Sequence, residues 1–341
     1  MINYKICICG GGNISHALAG TLSNKGHLIN ILTRQPNKWN KKFTTTHIND
    51  NNVFDSYLNK ISDDPSLVLK DIDIIIISSP IIAYEDILKK ILNYLTKNMI
   101  LISIPGRLFM NYIEKYNIKN NIITLTRTPY ICSINKYGCS VNIHGVVYDK
   151  INYWSNFDTS NIILNNLFPF NNHKLDNHLS IDLVNSNLLL HSCRLYILFD
   201  GNKYYDEKPS FYKDWCLESS ELLIICDKEL HNLIDKINEH LDNNNNNNNN
   251  QIFVKNILTH YESFDKISLT NKINSISAFP ERSPVIFKDN KYYADINHRY
   301  FQEEIIALNF VIDLSKQYNT NIPNIEKIYN SFIYLQEIWN K

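Results

Sequence analysis

Residues 4–19, YKICICGGGNISHALA, contain the most informative pattern for the architecture of this chain. It opens with a short apolar run of the kind that forms a buried β-strand, three glycines interrupt that run, and an Ala- and Leu-rich helical pattern follows at once. A glycine-rich turn between a strand and a helix is the context in which G-x-G-x-x-G indicates dinucleotide binding. We therefore expect a Rossmann-type strand–turn–helix unit here, rather than a turn with a structural role only.

The glycine turn contains the predicted phosphate-binding residues. Gly10 permits the tight turn, and Gly12 lets the backbone approach a pyrophosphate. Ser15 occupies the third position of the motif, where Gly or Ala is usual, and is small enough for the helix to pack on the strand. The free N–H groups at the helix start then face the phosphates. The predicted contacts are Gly10, Gly11, Gly12, Asn13 and Ile14.

The end of the second predicted strand, residues 27–34, bears on the choice of cofactor. Enzymes that select NAD usually place Asp or Glu there to bind the adenosine ribose. No acidic residue occurs between Lys25 and Asp50; Thr33 and Arg34 stand there instead, and three lysines follow at positions 38, 41 and 42. An Arg at this place can hold the 2′-phosphate of NADP through charge-assisted hydrogen bonds. We therefore expect NADP rather than NAD, the alternative being a solvated basic loop.

Further strands alternate with helices in the first half of the chain. The runs at residues 71–80 and 99–106 predict buried parallel strands, and residues 84–94 predict a helix between them. This alternation predicts a doubly wound parallel sheet, in which ligands bind beyond the carboxyl ends of the strands. The predicted cofactor rim comprises Gly10–Asn13, Thr33–Arg34, Ser78–Pro80 with Ser79 and Pro80 as contacts, and Pro105–Gly106.

The pattern changes from mixed to helical near residue 173. Before it, two β-rich runs at residues 124–134 and 137–145 predict a hairpin that closes the first domain, while residues 43–70 are weakly patterned. After it, apolar residues recur at helical spacing. The predicted helices span residues 178–199, 212–241, 301–318 and 325–339. We expect an α/β fold with two domains: a Rossmann-type domain over 1–173 and a mainly α-helical domain over 174–341.

The composition limits the classes of protein to which this chain can belong. The chain has 34 basic and 34 acidic residues, which does not indicate a general nucleic-acid or membrane-surface partner. The seven cysteines are scattered without metal-ligand spacing, so we expect reduced thiols, no metal site and a cytoplasmic location. No apolar run reaches membrane-spanning length, and the first residues lack the apolar core of a signal peptide. The asparagine run at 243–250 cannot build a packed core, which predicts a disordered surface insertion.

In combination, five segments resemble the octopine/opine dehydrogenase family, along most of the chain. They are CGGGNISHALAG (9–20), TRTPYICSINKYGCSVNIHG (126–145), NSNLLLHSCRLYILF (185–199), FYKDWCLESSELL (211–223) and HRYFQEEI (298–305). The resemblance implies reductive condensation of an amino acid with a 2-keto acid, in which NAD(P)H reduces the imine to a secondary amine dicarboxylate. It also implies that His191 and Glu304 are the catalytic acid/base pair, that Arg299 contacts a substrate carboxylate, and that Asn187 lies one turn before the histidine.

The resemblance is incomplete at the carboxylate. The family has Asp where this chain has Glu304, and the adjacent Glu303 is an alternative partner for His191. The residue types suit the chemistry, because a histidine titrates near neutral pH and a carboxylate on its other ring nitrogen fixes the tautomer. From the residues alone, His191 is equally well a core histidine, and Arg299 with Glu304 an exposed ion pair. Arg194 is interpreted as a salt-bridge or domain-contact residue.

Three functions therefore compete. The first is an opine-type oxidoreductase with amino acid and 2-keto acid substrates. The second is a related two-domain reductase of hydroxy- or keto-acids that needs no amine. The third is a non-catalytic nucleotide-sensing module, which would keep Gly10–Asn13 but would not need His191 or Arg299. The substrates, the direction and the choice between monomer and homodimer stay open at this stage.

Overall fold

The computed structural model describes residues 2–147, 150–244, 250–276 and 283–339. The chain folds into two compact units, Met1–Ile181 and Asp182–Lys341. The predicted boundary at residue 173 lies eight residues before the division of the two units, within the strand Asn172–Lys174, which pairs in parallel with Ile151–Ser155. Backbone pairing thus extends the first unit beyond the point where the apolar pattern changes.

The first unit contains twelve strands and five α-helices among its described residues. The strands are β1 (Lys5–Cys9), β2 (Leu28–Leu32), β3 (Lys42–His47), β4 (Asn52–Tyr57), β5 (Lys60–Ser62), β6 (Ile74–Ile77), β7 (Ile100–Ser103), β8 (Asn121–Leu125), β9 (Tyr130–Lys136), β10 (Ser140–Val146), β11 (Ile151–Ser155) and β12 (Asn172–Lys174). The helices are α1 (Asn13–Asn24), α2 (Pro65–Val68), α3 (Tyr84–Ile91), α4 (Phe109–Lys115) and α5 (Ser160–Leu167).

The central sheet has the order β12-β11-β8-β7-β6-β1-β2-β5. Its strands run parallel except at β8–β11, where the pairing is antiparallel. The four isoleucines of β6 are fully buried, as a parallel strand covered on both faces requires. From β1 the chain passes through α1 to β2, which lies on one side of β1. It later reaches β6, which lies on the other side of β1. Ligands of α/β sheets bind at such a point, where the strand order reverses direction. The expected doubly wound parallel sheet is confirmed.

A second sheet, of order β4-β3-β10-β9, lies against α1. It contains the predicted hairpin, since β9 and β10 pair antiparallel, whereas Thr124 and Leu125 end the parallel strand β8. β3 and β4 lie in the weakly patterned stretch, because, of their buried positions, only Phe43 is apolar, while Thr45 and Ser56 are small and polar. Contact with α1 is close: a Cβ on Gly20 would lie 1.9 Å from Thr45 Oγ1.

The second unit is mainly helical, as expected. Its elements, beginning with a short helix that crosses the unit boundary, are α6 (Leu179–Asp182), α7 (Asn185–Phe199), α8 (Leu217–Asn244), α9 (Ile257–His260), α10 (Lys266–Ser275), the antiparallel pair β13 (Val285–Lys288) and β14 (Lys291–Ala294), α11 (Arg299–Gln317) and α12 (Pro323–Trp339). α7 contacts α8, α11 and α12, and most of its residues are buried. None of the described helices combines the length and the apolar character needed to cross a membrane.

Two predicted features of the second unit differ in detail. The helix expected over 178–199 is broken near Val184, whose ψ of 114° is extended rather than helical, and the side-chain amide of Asn185 donates to the Asp227 carboxylate at 2.5 Å. The helix α8 includes Asn243 and Asn244, the first residues of the asparagine run. Residues 245–249 of that run lie outside the described residues.

Candidate active site

A cavity of about 540 Å³ opens in the first unit at the carboxyl ends of β1, β2 and β6. Its walls are the glycine turn, residues 33–35, residues 78–80, one face of α3 and Tyr137. The residues of the predicted rim that line it are Gly10, Gly11, Gly12, Thr33, Arg34, Ser78, Ser79 and Pro80. Pro105 and Gly106, which were also predicted, do not line it. The sheet therefore brings segments that are distant in sequence to one edge, as expected for a doubly wound fold.

The glycine turn has the geometry that close approach of a ligand requires. Gly10 has φ +150°, and a Cβ there would lie 2.5 Å from Ser15 Oγ, so only glycine fits. A Cβ on Gly12, in contrast, would meet no atom within 4 Å, which leaves open space beside the start of α1. Ser15 Oγ and Ser78 Oγ lie 2.9 Å apart and both residues are buried, so the serine at the third motif position joins α1 to the end of β6. The turn thus leaves room for a diphosphate.

Asn13 and Ile14 differ from the other predicted contacts. The Asn13 side chain is directed to β9, where its Oδ1 accepts from the Ile134 amide at 3.1 Å, and Ile14 packs against the apolar core. Gly12 is the N-cap of α1 and provides no side-chain hydrogen bond. The first N–H groups of a helix have no acceptor within the helix, so Asn13 and Ile14 offer a ligand their backbone rather than their side chains.

The basic residues that follow β2 do not all lie at the cavity. Arg34 is exposed and lines the cavity, while Lys42 pairs with Asp55 at 2.8 Å on the second sheet. Asp86 and Lys90, which are one turn apart on α3, also line the cavity, and the sequence analysis missed both. Their spacing of four residues places them on one exposed face of a helix, which could have indicated a binding surface. That this face borders the cavity follows only from the packing of α3 in the folded unit.

In the second unit, His191 on α7 and Glu304 on α11 form a buried pair. His191 Nδ1 lies 3.1 Å from Glu304 Oε1, and the two residues are 7% and 1% exposed. Glu304, rather than the adjacent Glu303, makes this contact. A carboxylate accepts the Nδ1–H of the ring, which leaves Nε2 as the acceptor in neutral imidazole. The pair therefore has the geometry of an oriented acid/base histidine.

Two tyrosines that the sequence analysis did not assign complete this arrangement. The Tyr212 hydroxyl lies 2.9 Å from His191 Nε2, and the Tyr300 ring stacks on the imidazole at 4.3 Å between centroids. Burial, and then the neighbouring Tyr300, raises the pKa of Tyr212, so its phenol stays protonated and can donate to Nε2. Both tyrosines lie within segments that resemble the dehydrogenase family, but their contacts join residues 21 and 109 positions away from His191.

Arg194 organises the segment that contains Tyr212. Its guanidinium donates to the carbonyl oxygens of Ser210, Phe211 and Asp214 at 2.8–2.9 Å, and the residue is 3% exposed. The interpretation as a salt-bridge residue is wrong, because these partners are backbone carbonyls within one unit. The arginine side chain has five N–H donors in a fixed planar arrangement, so it can bind several carbonyl oxygens of one loop at once.

Arg299 and Asn187 lie at the surface of the second unit. Arg299 is the first residue of α11, and its guanidinium lies 5.5 Å from the centroid of the Tyr300 ring, which itself stacks on His191. Asn187 is exposed one turn before His191 on α7. Neither side chain hydrogen-bonds to another residue in the described part of the chain, so the ion pair considered between Arg299 and Glu304 does not form there.

Two family models match separate parts of the chain. Residues 174–333 match the NAD/NADP octopine/nopaline dehydrogenase, alpha-helical domain. Residues 5–105 match the NADP oxidoreductase coenzyme F420-dependent family. The first match contains His191, Tyr212, Arg299 and Glu304, and the second contains the glycine turn and Arg34.

Relatives and solved structures agree with this division. Tauropine dehydrogenase of Arabella iricolor is 24% identical over 363 residues, which cover 95% of this chain and 89% of that protein. The structure of octopine dehydrogenase with NADH and L-arginine superposes with a TM-score of 0.81 at 20% identity, over 99% of this chain and 90% of that one. Yersinopine dehydrogenase with NADP+ gives 0.70 at 11% identity, over 97% and 90%. The fold of this chain is therefore similar to that of opine dehydrogenases.

Proposed function

We propose that this chain, whose helical domain matches the octopine/nopaline dehydrogenase family model, is an NAD(P)H-dependent oxidoreductase of the opine type. Its substrates are an amino acid and a 2-keto acid such as pyruvate, which condense to an imine that is reduced to a secondary amine dicarboxylate. The observation that supports this function most directly is the buried His191–Glu304 pair, since it lies within the matched helical domain.

The first unit is proposed to hold the dinucleotide. The backbone of Gly10–Ile14 faces the diphosphate, since Gly12 borders open space and the start of α1 offers free N–H groups. Thr33 and Arg34 contact the adenosine ribose and its 2′-phosphate, while Ser79 and Pro80 line the cavity wall. When bound, NAD(P)H supplies the hydride. Because Arg34 lines the cavity and Leu32–Gln35 contains no acidic residue, we propose NADP as the preferred form.

His191 is proposed to hold and release the proton. Loss of water from the adduct of an amine and a keto acid requires a proton on the departing hydroxyl, and the reverse reaction requires a base for the same proton. Glu304 fixes the Nδ1–H tautomer and stabilises the imidazolium, so Nε2 is the exchanging atom. The Tyr212 hydroxyl, at 2.9 Å, holds the ring from the Nε2 side.

Arg299 is proposed to bind the carboxylate of the keto acid. A guanidinium offers two parallel hydrogen bonds to a carboxylate, and Arg299 keeps its donors available at the start of α11. Asn187 is proposed to orient substrate from α7, one turn from the imidazole.

We also propose that the protein is a homodimer, which analytical ultracentrifugation tests. A cytoplasmic location is proposed as well, and it agrees with the seven free cysteines.

A screen of NAD(P)H oxidation against pairs of amino acids and 2-keto acids tests the function. We expect oxidation that requires both substrates, and loss of it in His191→Ala. Oxidation with a keto acid alone would instead identify a hydroxy- or keto-acid reductase. Cofactor binding with no turnover across a broad panel would identify a nucleotide-sensing module.

A further inference from the structure

The turn between β9 and β10 places Tyr137 in the wall of the cofactor cavity. This hairpin belongs to the second sheet, so Tyr137 comes from outside the strand–turn–helix unit that defines the dinucleotide site. A Cβ built on Gly11 would lie 2.6 Å from the Tyr137 hydroxyl. The hydroxyl therefore lies directly over the middle of the glycine turn, next to the open space at Gly12.

A buried histidine ties Tyr137 to the same glycine turn. His16 Nδ1 lies 2.8 Å from the Gly12 carbonyl oxygen, and His16 Nε2 accepts from the Gly138 amide at 2.8 Å. Burial lowers the pKa of His16 to about 4, so the ring is neutral at physiological pH and one nitrogen donates while the other accepts. The Tyr137 ring meets the His16 ring edge-on, with centroids 5.0 Å apart.

The other side of the hairpin turn is held by the segment that follows Arg34. The Asn40 amide donates to the Gly138 carbonyl at 2.9 Å, and Trp39 packs on His16 at 4.2 Å between centroids. Gly138 has φ +68°, and a Cβ there would lie 2.1 Å from the Lys38 carbonyl oxygen. With its backbone held on both sides, Tyr137 has little freedom to leave the cavity wall.

We propose that Tyr137 is a cofactor-binding residue whose hydroxyl donates a hydrogen bond to a diphosphate oxygen of the dinucleotide, with His16 as its positioning residue. A phenol is a good donor to an anionic oxygen, and its position over Gly11 matches the part of the turn that faces the diphosphate. This inference rests on the dinucleotide binding in the proposed function but not on the choice of amino acid or keto acid.

Calorimetric titration of purified protein with NADPH, NADH and ADP-ribose tests the inference without any turnover assay. Tyr137→Phe should raise Kd about tenfold for all three ligands, because they share the diphosphate and lose one charge-assisted hydrogen bond. Tyr57→Phe, at a 68% exposed tyrosine of the first unit, is the matched control and should leave all three Kd values unchanged.

A double-mutant cycle tests the role of His16. If His16 acts through Tyr137, His16→Gln should weaken binding in the wild-type background and much less in Tyr137→Phe. Unchanged Kd values in Tyr137→Phe would overturn the proposal. Weaker binding of NADPH alone would also overturn it, since the hydroxyl would then contact the 2′-phosphate. Unchanged binding of ADP-ribose would overturn it as well, since the hydroxyl would then contact the nicotinamide half. Wild-type protein that binds none of the ligands would overturn the cofactor assignment itself. Should His16→Gln fail to fold, the three titrations of Tyr137→Phe decide the matter.

Discussion

The carboxylate on His191, the proposed acid/base, is the residue at which this chain departs from the family it resembles. Glu304 is one methylene longer than the family's Asp, yet its Oε1 reaches His191 Nδ1 at 3.1 Å. Its backbone on α11 and that of His191 on α7 are held by helix packing, so the longer side chain is accommodated within a buried contact. A change from Asp to Glu therefore preserves the pairing in this fold.

Glu304→Gln should lower kcat by about 100-fold or more, because a neutral amide cannot stabilise an imidazolium and permits the wrong tautomer. Steady-state kinetics on the variant, with melting curves to establish folding, provide the measurement. Glu303→Gln is the matched control at the adjacent position and should stay within about threefold of wild type, a change too small for the loss of a proton-transfer partner. Equal losses in the two variants would contradict the assignment of Glu304.

Arg34 is the residue on which the proposed preference for NADP rests. It lines the cavity beside Thr33, where NAD-selective enzymes place an acidic residue. We expect wild-type protein to bind NADPH more tightly than NADH, and Arg34→Ala to reduce that difference by about tenfold through loss of charge-assisted bonds. Titration of both cofactors into both proteins measures it, with Lys41→Ala as a control outside the cavity lining. Tighter binding of NADH by wild type would refute the preference.

Among the elements, α1 connects the two sheets of the first unit. Its residues from Ser15 to Leu22 are all buried, and it contacts both the central sheet and the second sheet. His16 joins this helix to the β9–β10 turn through the Gly138 amide. A helix buried on all sides needs no polar face, which is why the pattern after the glycine turn lacks the usual alternation of polar and apolar residues.

Acid should weaken the link between α1 and the hairpin. The pKa of His16 is about 4 in the folded protein and near 6.5 when unfolded, so the stabilisation is complete above about pH 6.5 and is lost as the pH falls toward 4. Between pH 7 and 4.5 this costs about 2 kcal/mol. Thermal melts at both values should show a larger fall in Tm for wild type than for His16→Gln. The same fall in both proteins would show that other groups dominate.

At the scale of the two units, the groups proposed for cofactor binding and for proton transfer belong to different units. Every residue that lines the dinucleotide cavity lies within Met1–Ile181, and the His191–Glu304 pair lies within Asp182–Lys341. Each site is thus built by contacts internal to its own unit. A substitution at the pair should then change the chemistry without changing the dinucleotide cavity.

His191→Ala should lose at least about 100-fold in kcat, while its Kd for NADPH stays within about twofold of wild type. The kcat change reflects the missing acid/base, and the unchanged Kd reflects a cavity formed by other residues. Steady-state kinetics and calorimetry on the same folded preparation supply the two numbers. Turnover at the wild-type rate in His191→Ala would refute the mechanism.

Features that depend on neighbours along the chain could be predicted from the amino-acid sequence. The strand–turn–helix at residues 5–24, the buried run at 74–77 and the long helices follow from local apolar patterns and from the conformational demands of glycine. The resemblance to the family then indicated which histidine and which carboxylates to examine. Both kinds of information are present in contiguous stretches of residues.

Contacts between distant residues could be read only from the folded chain. The choice of Glu304 over Glu303, the hydroxyl of Tyr212 on His191, and the position of Tyr137 over Gly11 each join segments separated by 21 to 126 positions. β3 and β4 were likewise missed, because two of their three buried positions, Thr45 and Ser56, are small and polar. The physical reason is the same in each case: packing between elements sets which side chains meet, and local periodicity contains no record of it.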